Sequence, residues 1–318
     1  MYLTKKIYWP ILLIIDLFGN ILFFWKRFKS QPSRPKKILF IRLEHIGDMI
    51  MSTPVFETWK KNNPDCEVHV LCRTLTEPLI KNNPNVDKII VFDSEWMLKR
   101  QDDKKQDKSK IIKVLQKEKY DIVFEMHGDP RNIMLANKLR TYTIGYSCRG
   151  LGFLLNKIIE YESDKQMIKQ NLELIRPFCK DIYETTKIYS DNKANNDCSK
   201  LMKKYRLIKG KFIIINPKSG RAEKDLTNDE VWQSIKKYPT FKIIITGSQS
   251  ERPNNDQYAK KNIINICGQT DLLALAELVK NAKLVIGPDT GIMHIAKAAG
   301  TTFKCIYKTT NSKVWGYD

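Results

Sequence analysis

No two of the seven cysteines stand in a C-x-x-C spacing, and an odd, scattered set cannot close a full disulfide framework. The four histidines (His45, His69, His127 and His294) are equally dispersed, so ligand spacing indicates no metal site. Asn-x-Ser/Thr sequons are absent as well, which fits a chain kept in a reducing compartment. Nor does the sequence contain G-x-G-x-x-G, a Walker P-loop, H-E-x-x-H or G-x-S-x-G. Those absences argue against ordinary dinucleotide oxidoreductases, P-loop ATPases, zincins and serine hydrolases. A basic stripe interleaved with aromatics is missing from the body, and with it the signature of a nucleic-acid binder. With only 14 glycines and 13 prolines beside 42% hydrophobic residues, the chain is neither disordered nor collagen-like.

Acidic residues are also short: 35 Asp and Glu face 55 Lys and Arg, a formal charge of +20 over 318 residues. The length allows two ordinary domains or one large one. The charge favours polyanionic partners, whether nucleic acid, acidic membrane or phosphorylated small molecules. Part of it is local. Eight basic residues against Asp16 lie within the first 37, where residues 7–25 are nearly all apolar and a basic flank (Lys26, Arg27, Lys29, Arg34, Lys36, Lys37) follows. Nineteen such residues could just cross a bilayer, but Asp16 near the middle would cost roughly 2.5–3.5 kcal/mol. No small-residue cleavage site follows, so removal as a signal peptide is not expected. Three readings stand: a span, a helix lying on anionic headgroups, or a helix packed on the protein. Both membrane readings leave the rest of the chain in the cytoplasm.

Beyond Pro35 short apolar runs alternate with amphipathic stretches. Strands are expected over 37–43, 67–72, 86–92, 121–126 and 143–146, with helices over 46–61, about 110–118 and 165–178. The charged, aperiodic stretch 94–110 suggests a solvated insertion, and the polar stretch 181–209 an interdomain connection. A second series follows, with strands over 212–216, 241–246, 263–266, 284–286 and 303–306. Its helices are expected near 227–237, 251–261, 271–281 and 292–299. Near-continuous apolar strands alternating with helices mean parallel sheets covered on both faces. The expected order is a hydrophobic segment (1–35), a first Rossmann-like domain (36–180), a connection (181–210) and a second Rossmann-like domain (211–318).

In doubly wound sheets ligands sit beyond the carboxyl ends of strands, so the loops there carry the chemistry. Arg42-Leu43-Glu44-His45-Ile46-Gly47-Asp48 follows the first strand. Asp48 is either a helix-start acid or a general base. Gly287-Pro288-Asp289-Thr290-Gly291-Ile292-Met293-His294 sets two glycines around a helix start, which is either an ordinary turn or an anion site. Asn216-Pro217-Lys218-Ser219-Gly220-Arg221-Ala222-Glu223-Lys224 has small, hydroxyl and basic residues suited to a diphosphate, or is a solvated loop. Glu251, after Thr246-Gly247-Ser248, could accept ribose hydroxyls, and His127-Gly128-Asp129-Pro130-Arg131 is a further strand-end loop.

Taken together these motifs resemble glycosyltransferase family 9, the ADP-heptose:lipopolysaccharide heptosyltransferases. The resemblance rests on I-R-L-E-H-I-G-D-M-I-M-S-T-P, on Y-D-I-V-F-E-M-H-G-D-P-R, on N-P-K-S-G-R-A-E-K, on G-Q-T-D-L-L-A-L-A-E-L, and most specifically on G-P-D-T-G-I-M-H-I-A-K-A-A-G-T. It runs from about Lys36 to the end. The family normally continues past the position of Asp318, so the second domain is expected to be short. What the resemblance implies is a GT-B fold, α/β, with two facing Rossmann-like domains behind the hydrophobic segment. It also implies inverting transfer without a metal or other cofactor. Asp48 would be the general base, and His127, Gly128 and Arg131 would lie on the acceptor side. Ser219, Gly220 and Lys224 would meet the diphosphate, Glu251 the ribose, and Asp289, Thr290, Gly291 and His294 would complete the nucleotide site. The expected partners are a nucleotide-sugar, ADP-heptose by family, a glycolipid acceptor of the lipopolysaccharide-core type and an anionic membrane surface, with no nucleic acid. The expected location is the cytoplasmic face of the inner membrane. Two alternatives stand beside this: a different nucleotide-sugar donor, or a non-catalytic sugar-nucleotide-binding protein.

Overall fold

The computed structural model describes residues 2–94 and 107–317, so most of the insertion expected over 94–110 lies outside the described residues. The chain divides into two compact units, Met1–Glu77 with Pro84–Glu184, and Pro78–Asn83 with Thr185–Asp318. Unit 1 holds six parallel strands: β1 (Lys37–Ile41), β2 (Glu67–Cys72), β3 (Lys88–Val91), β4 (Ile122–Glu125), β5 (Tyr142–Tyr146) and β6 (Lys157–Ile159). Their order is β3-β2-β1-β4-β5-β6. Unit 2 holds β7 (Phe212–Ile215), β8 (Lys242–Ile245), β9 (Ile263–Asn265), β10 (Leu284–Pro288) and β11 (Phe303–Ile306), ordered β11-β10-β7-β8-β9 and also parallel. The fold is the two-sheet α/β GT-B fold expected from the sequence.

Strand β1 shows why these runs are apolar throughout. Alternate side chains point to opposite faces, and a parallel strand between helices has both faces buried. Leu39 and Ile41 join Ile111, Leu115, Val123 and Leu135 on one side. Phe40 stacks on Phe124, with ring centroids 5.0 Å apart, and meets Phe56 and Trp59 on the other. Unit 2 repeats the arrangement, with Ile213, Ile215, Ile243, Ile245 and Ile286 packed on Val231 and Tyr258. In each sheet the winding reverses once, between β1 and β4 and between β7 and β10. Those are the topological switch points, where a doubly wound sheet leaves a crevice beyond its strand ends.

Several elements differ from the sequence expectation. The single helix expected over 46–61 is two, α2 (Ile46–Ile50) and α3 (Thr53–Asn62). Pro54 has no N–H to give the Ile50 carbonyl, and the Thr53 hydroxyl donates to that carbonyl instead at 2.8 Å. The stretch expected as a connection, 181–210, holds a thirteen-residue helix, Asn192–Lys204, which lies in unit 2 against the helix Leu272–Asn281. Its buried stripe is only Ala194, Cys198 and Leu201, too thin to stand out in a polar sequence. The helix expected over 251–261 is four residues, Arg252–Asn255, between 3₁₀ turns. The one expected over 165–178 stops at Glu173. Strand β6, three residues long, carries no sequence signal of its own.

The amino-terminal segment forms helix α1 (Trp9–Leu22), flanked by 3₁₀ turns at Lys6–Tyr8 and Phe24–Phe28. Among the described residues no helix is long and apolar enough to cross a membrane. Of the three readings open for 7–25, the structure has the helix packed on the protein, within unit 1. Gly19 packs so closely on the Phe153 ring that a Cβ there would come within 2.3 Å of it. Phe23 stacks on the same ring, with centroids 5.5 Å apart. The buried Lys26 ammonium donates to Asn137 Oδ1 and the Leu154 carbonyl, both at 2.6 Å.

Candidate active site

At the switch point of unit 1, β1 runs into the Arg42–His45 loop and then α2, which brings Asp48 into its first turn. Asp48 is buried, and its Oδ2 accepts the His45 backbone N–H at 3.1 Å. That contact is the helix-start role. It occupies one oxygen only, for among the described residues no hydrogen bond reaches Oδ1. Burial by itself would push the carboxyl up, but the charges of Arg42, His127 and His45, with the His45 N–H, hold it below its usual value. A buried carboxylate that stays ionised and keeps one oxygen unengaged is a proton acceptor in waiting.

Arg42, which sequence reasoning did not single out, organises this loop. Only 1% exposed, it donates through Nε to Ser52 Oγ (2.8 Å), through Nη1 to the Met126 carbonyl (2.8 Å) and through Nη2 to Asn171 Oδ1 (2.9 Å). Two more carboxyls are buried nearby, Glu44 beside Arg42 and Glu125 across Asn132 from Glu44. Glu44 Oε2 lies 3.5 Å from Arg42 Nη1, and its Oε1 accepts from Asn132 at 3.0 Å. Glu125, at the end of β4, accepts the backbone N–H groups of His127 (3.2 Å) and Gly128 (2.6 Å). Burial, with the Glu44 charge next in weight, pushes the Glu125 carboxyl up to about 8, so it is protonated at neutral pH. The signal for this cluster was legible in principle: R-L-E and F-E-M-H set charged residues directly at the ends of apolar strands.

The loop after β4 holds the residues expected on the acceptor side. His127 sits close enough to Asp48 and Glu44 to feel both charges, yet burial dominates and pulls its imidazole below the usual value. Gly128 takes φ +72°, and a Cβ there would lie 2.5 Å from Cys148 Sγ, so glycine is required twice over. Arg131 folds back on the helix-capping Asp129, bonding it through Nε (2.9 Å) and Nη2 (2.6 Å).

At the switch point of unit 2, the loops after β7 and β10 meet. Lys224 Nζ reaches Asp289 Oδ2 at 3.2 Å, and His294 Nε2 lies 3.7 Å from Asp289 Oδ1. His294 Nδ1 is paired with the Tyr317 hydroxyl at 2.6 Å, an unforeseen member from the last residues of the chain. Asp289 and His294 are buried, so the carboxylate sits between two basic groups and fixes both. Thr290 is the N-cap residue of the eight-residue helix Gly291–Ala298, but its hydroxyl bonds back to the Pro288 carbonyl rather than to a helix N–H. The Met293 N–H bonds to the Thr290 carbonyl at 3.0 Å, and among the described residues no hydrogen bond is found for the Gly291 and Ile292 N–H groups ahead of it.

Three predicted residues lie apart from that cluster. Ser219 turns within its own loop, its N–H donating to Asp225 Oδ1 and its hydroxyl to the Arg221 carbonyl, while the adjacent Gly220 is exposed. Glu251, in the 3₁₀ turn Gln249–Glu251 beyond β8, closes a capping box by accepting the Ser248 N–H at 2.7 Å.

The sequence model described as glycosyltransferase family 9 (heptosyltransferase) matches residues 109–317, which leaves the Asp48 loop outside the match. A curated relative, lipopolysaccharide heptosyltransferase 3 of Escherichia coli K12, is 24% identical over 291 residues, 86% of this chain and 83% of that one. Among solved structures, a glycosyl transferase family 9 protein from Veillonella parvula superposes with TM-score 0.78 at 19% identity, covering 88% of this chain and 84% of its own. The Escherichia coli heptosyltransferase WaaC with ADP superposes with TM-score 0.68 at 15% identity, over 86% and 88% of the two chains.

Proposed function

The chain belongs to glycosyltransferase family 9, a heptosyltransferase-like glycosyltransferase, and on that premise we propose that it moves a heptose from ADP-heptose to a lipopolysaccharide-core glycolipid. The observation that carries the proposal is Asp48, buried, held ionised beside Arg42, with Oδ1 unengaged. A sugar hydroxyl is a poor nucleophile, so its proton passes to Asp48 Oδ1 as its oxygen bonds to the anomeric carbon. The bond from that carbon to the diphosphate breaks with inversion, and the nucleoside diphosphate departs with the electron pair. Lys224 and the N–H groups at Gly291 face the charge that develops on it. Asp289 holds Lys224 and His294 in position for that anion rather than touching it. His127 and Gly128 line the acceptor side, while Arg131 must release Asp129 before it can join them. Ser219 and Gly220 supply the loop that passes the diphosphate, and Glu251 receives the ribose after opening its capping box.

The donor reading draws on the ADP named with the WaaC structure, and the acceptor reading on the curated relative. A membrane glycolipid of this class is met at the cytoplasmic face of the inner membrane. The test is incubation with a panel of nucleotide-sugars, with and without extracted lipopolysaccharide core, reading nucleoside diphosphate release and acceptor mass. Acceptor-dependent release from ADP-heptose above every other donor is expected. Release from another donor instead would move the assignment to a different sugar, and binding without release would make the chain a sugar-nucleotide-binding protein.

A further inference from the structure

Helix α1 carries apolar residues around its whole circumference, but the structure treats its two sides differently. One stripe, Trp9, Leu12, Asp16, Gly19, Phe23 and Lys26, is buried or half-buried against unit 1. Its alternating spacing of three and four residues is that of a single helix face. Two charged residues of the segment, Asp16 and Lys26, belong to this stripe. Asp16, which makes a bilayer span costly in the sequence, accepts the Leu151 N–H through Oδ1 at 2.9 Å and the Tyr2 hydroxyl through Oδ2. Lys26 is anchored on Asn137 and Leu154, and its carbonyl accepts from Asn156 at 2.9 Å.

Opposite this stripe, at 100° per residue, stand Ile7, Ile11, Ile14, Phe18, Ile21 and Trp25, each 55–77% exposed. Leu13, Leu17, Leu22, Phe24 and Phe28 widen the patch. Of the eighteen exposed large hydrophobic residues found among the described residues, fourteen fall within 3–28. That concentration far exceeds the scattered exposure of an ordinary soluble surface. Exposed cations bracket the patch: Lys5 and Lys6 before it, Arg27, Lys29, Arg34 and Lys36 after it.

We propose that this face of α1 docks in the plane of an anionic lipid bilayer, with Ile7, Ile11, Ile14, Phe18, Ile21 and Trp25 among the acyl chains and the flanking cations on the headgroups. Three observations favour a bilayer over another protein. The patch is an unbroken band of aliphatic and aromatic side chains whose only polar member, Asn20, is tied to the Asp16 carbonyl. It carries cations at both ends and no exposed acid between them, which complements a negative surface on either side. And the helix cannot turn to cross the bilayer, because unit 1 lies along its inner stripe from Trp9 to Lys26. The same helix borders a cavity of about 720 Å³ within unit 1, whose other wall includes Cys148 and Tyr161. Cys148 contacts the His127 carbonyl, so helix α1 and the His127 loop lie around the same cavity within one folded unit.

This deepens the membrane placement proposed above and can fail without it. The test uses the full chain and a double variant, Ile14→Glu with Phe18→Glu, which alters only exposed side chains. Deleting the segment is a poor test, because it strips the cover from Phe153 and leaves Asn137 and Asn156 without Lys26. Flotation is measured with vesicles of phosphatidylglycerol and phosphatidylethanolamine, and with phosphatidylcholine alone. Full-length protein should float with the anionic vesicles, less with the neutral ones, and the double variant should lose roughly tenfold or more of its partitioning. Its melting temperature and its transfer to a soluble, delipidated acceptor should match wild type. Equal flotation of variant and wild type, or no flotation of wild type, overturns the proposal. A wild-type dimer that becomes monomeric in the variant, without vesicle binding, overturns it in favour of a second copy of this chain. Absence of transfer to any acceptor, with flotation intact, would count against the transferase reading alone.

Discussion

The strand ends of β1 and β4 and those of β7 and β10 are the same topological place in two sheets, yet they are furnished differently. In unit 1 two buried carboxyls, Glu44 and Asp48, feel the buried Arg42 guanidinium, and a third, Glu125, feels the charge of Glu44. In unit 2 a single buried carboxylate, Asp289, stands between Lys224 and His294. The first arrangement suits giving and taking protons. Burial and the neighbouring Glu44 charge push Glu125 up to about 8, while the positive charges beside Asp48 keep that carboxyl ionised. The second arrangement suits holding an anion, since its acid is already matched and its helix-start N–H groups are open. On the proposed function one topology serves two chemistries, and the choice is made by a handful of side chains at the switch point.

The sharpest way to break this contrast is Asp48→Asn. The amide keeps the His45 contact but cannot take a proton, so turnover should fall by about 10²–10⁴-fold with donor affinity unchanged. Rapid-quench turnover at saturating donor checks it, and a loss of only a few-fold would leave Asp48 a helix-start acid. Because activity needs the carboxylate and its pKa is lowered, the acid limb of wild-type kcat/KM should lie below the ordinary carboxylate range.

Lys224→Met should give the opposite pattern. Removing a charged donor facing the diphosphate should weaken donor binding by roughly tenfold to a hundredfold, read as a rise in donor KM. An unchanged KM would remove Lys224 from the anion site. In the same spirit, transfer should persist after exhaustive chelation. Activity lost in EDTA and restored by Mg²⁺ or Mn²⁺ would mean that the cationic side chains do not suffice.

Glu125→Gln tests how the acids of unit 1 coexist. Folding takes up a proton at Glu125, so its stabilising contribution is complete below the unfolded value of 4.5 and is lost as pH rises through about 8. Wild-type melting temperature should therefore fall more than that of Glu125→Gln across this window. Parallel curves would mean that Glu125 is ionised throughout. The smallest effect is expected from Tyr317→Phe, which removes one hydrogen bond from His294 and should raise donor KM only about two- to tenfold.

Much of this contrast was legible in the sequence. Strand positions and the two loops bearing Asp48 and Asp289 follow from apolar runs that end in Gly-Asp and Gly-Pro-Asp-Thr-Gly. What escaped were relations that only tertiary structure makes. Glu125 and Asn132 read as an ordinary strand end and helix residue until β4 pairs beside β1 and brings them to Glu44. Tyr317 lies twenty-three residues from its partner His294. The inner stripe of α1, packed on unit 1, was hidden because apolar residues on its outer side mask the three-four spacing, and only burial separates the two faces.

The division of labour between the two switch points is tested most directly by calorimetric titration of ADP onto wild type, Asp48→Asn and Lys224→Met. The account predicts that Asp48→Asn binds within about twofold of wild type, while Lys224→Met binds roughly tenfold more weakly or worse. Equal weakening in both variants would place the nucleotide among the acids of unit 1 and contradict the separation of proton transfer from anion binding.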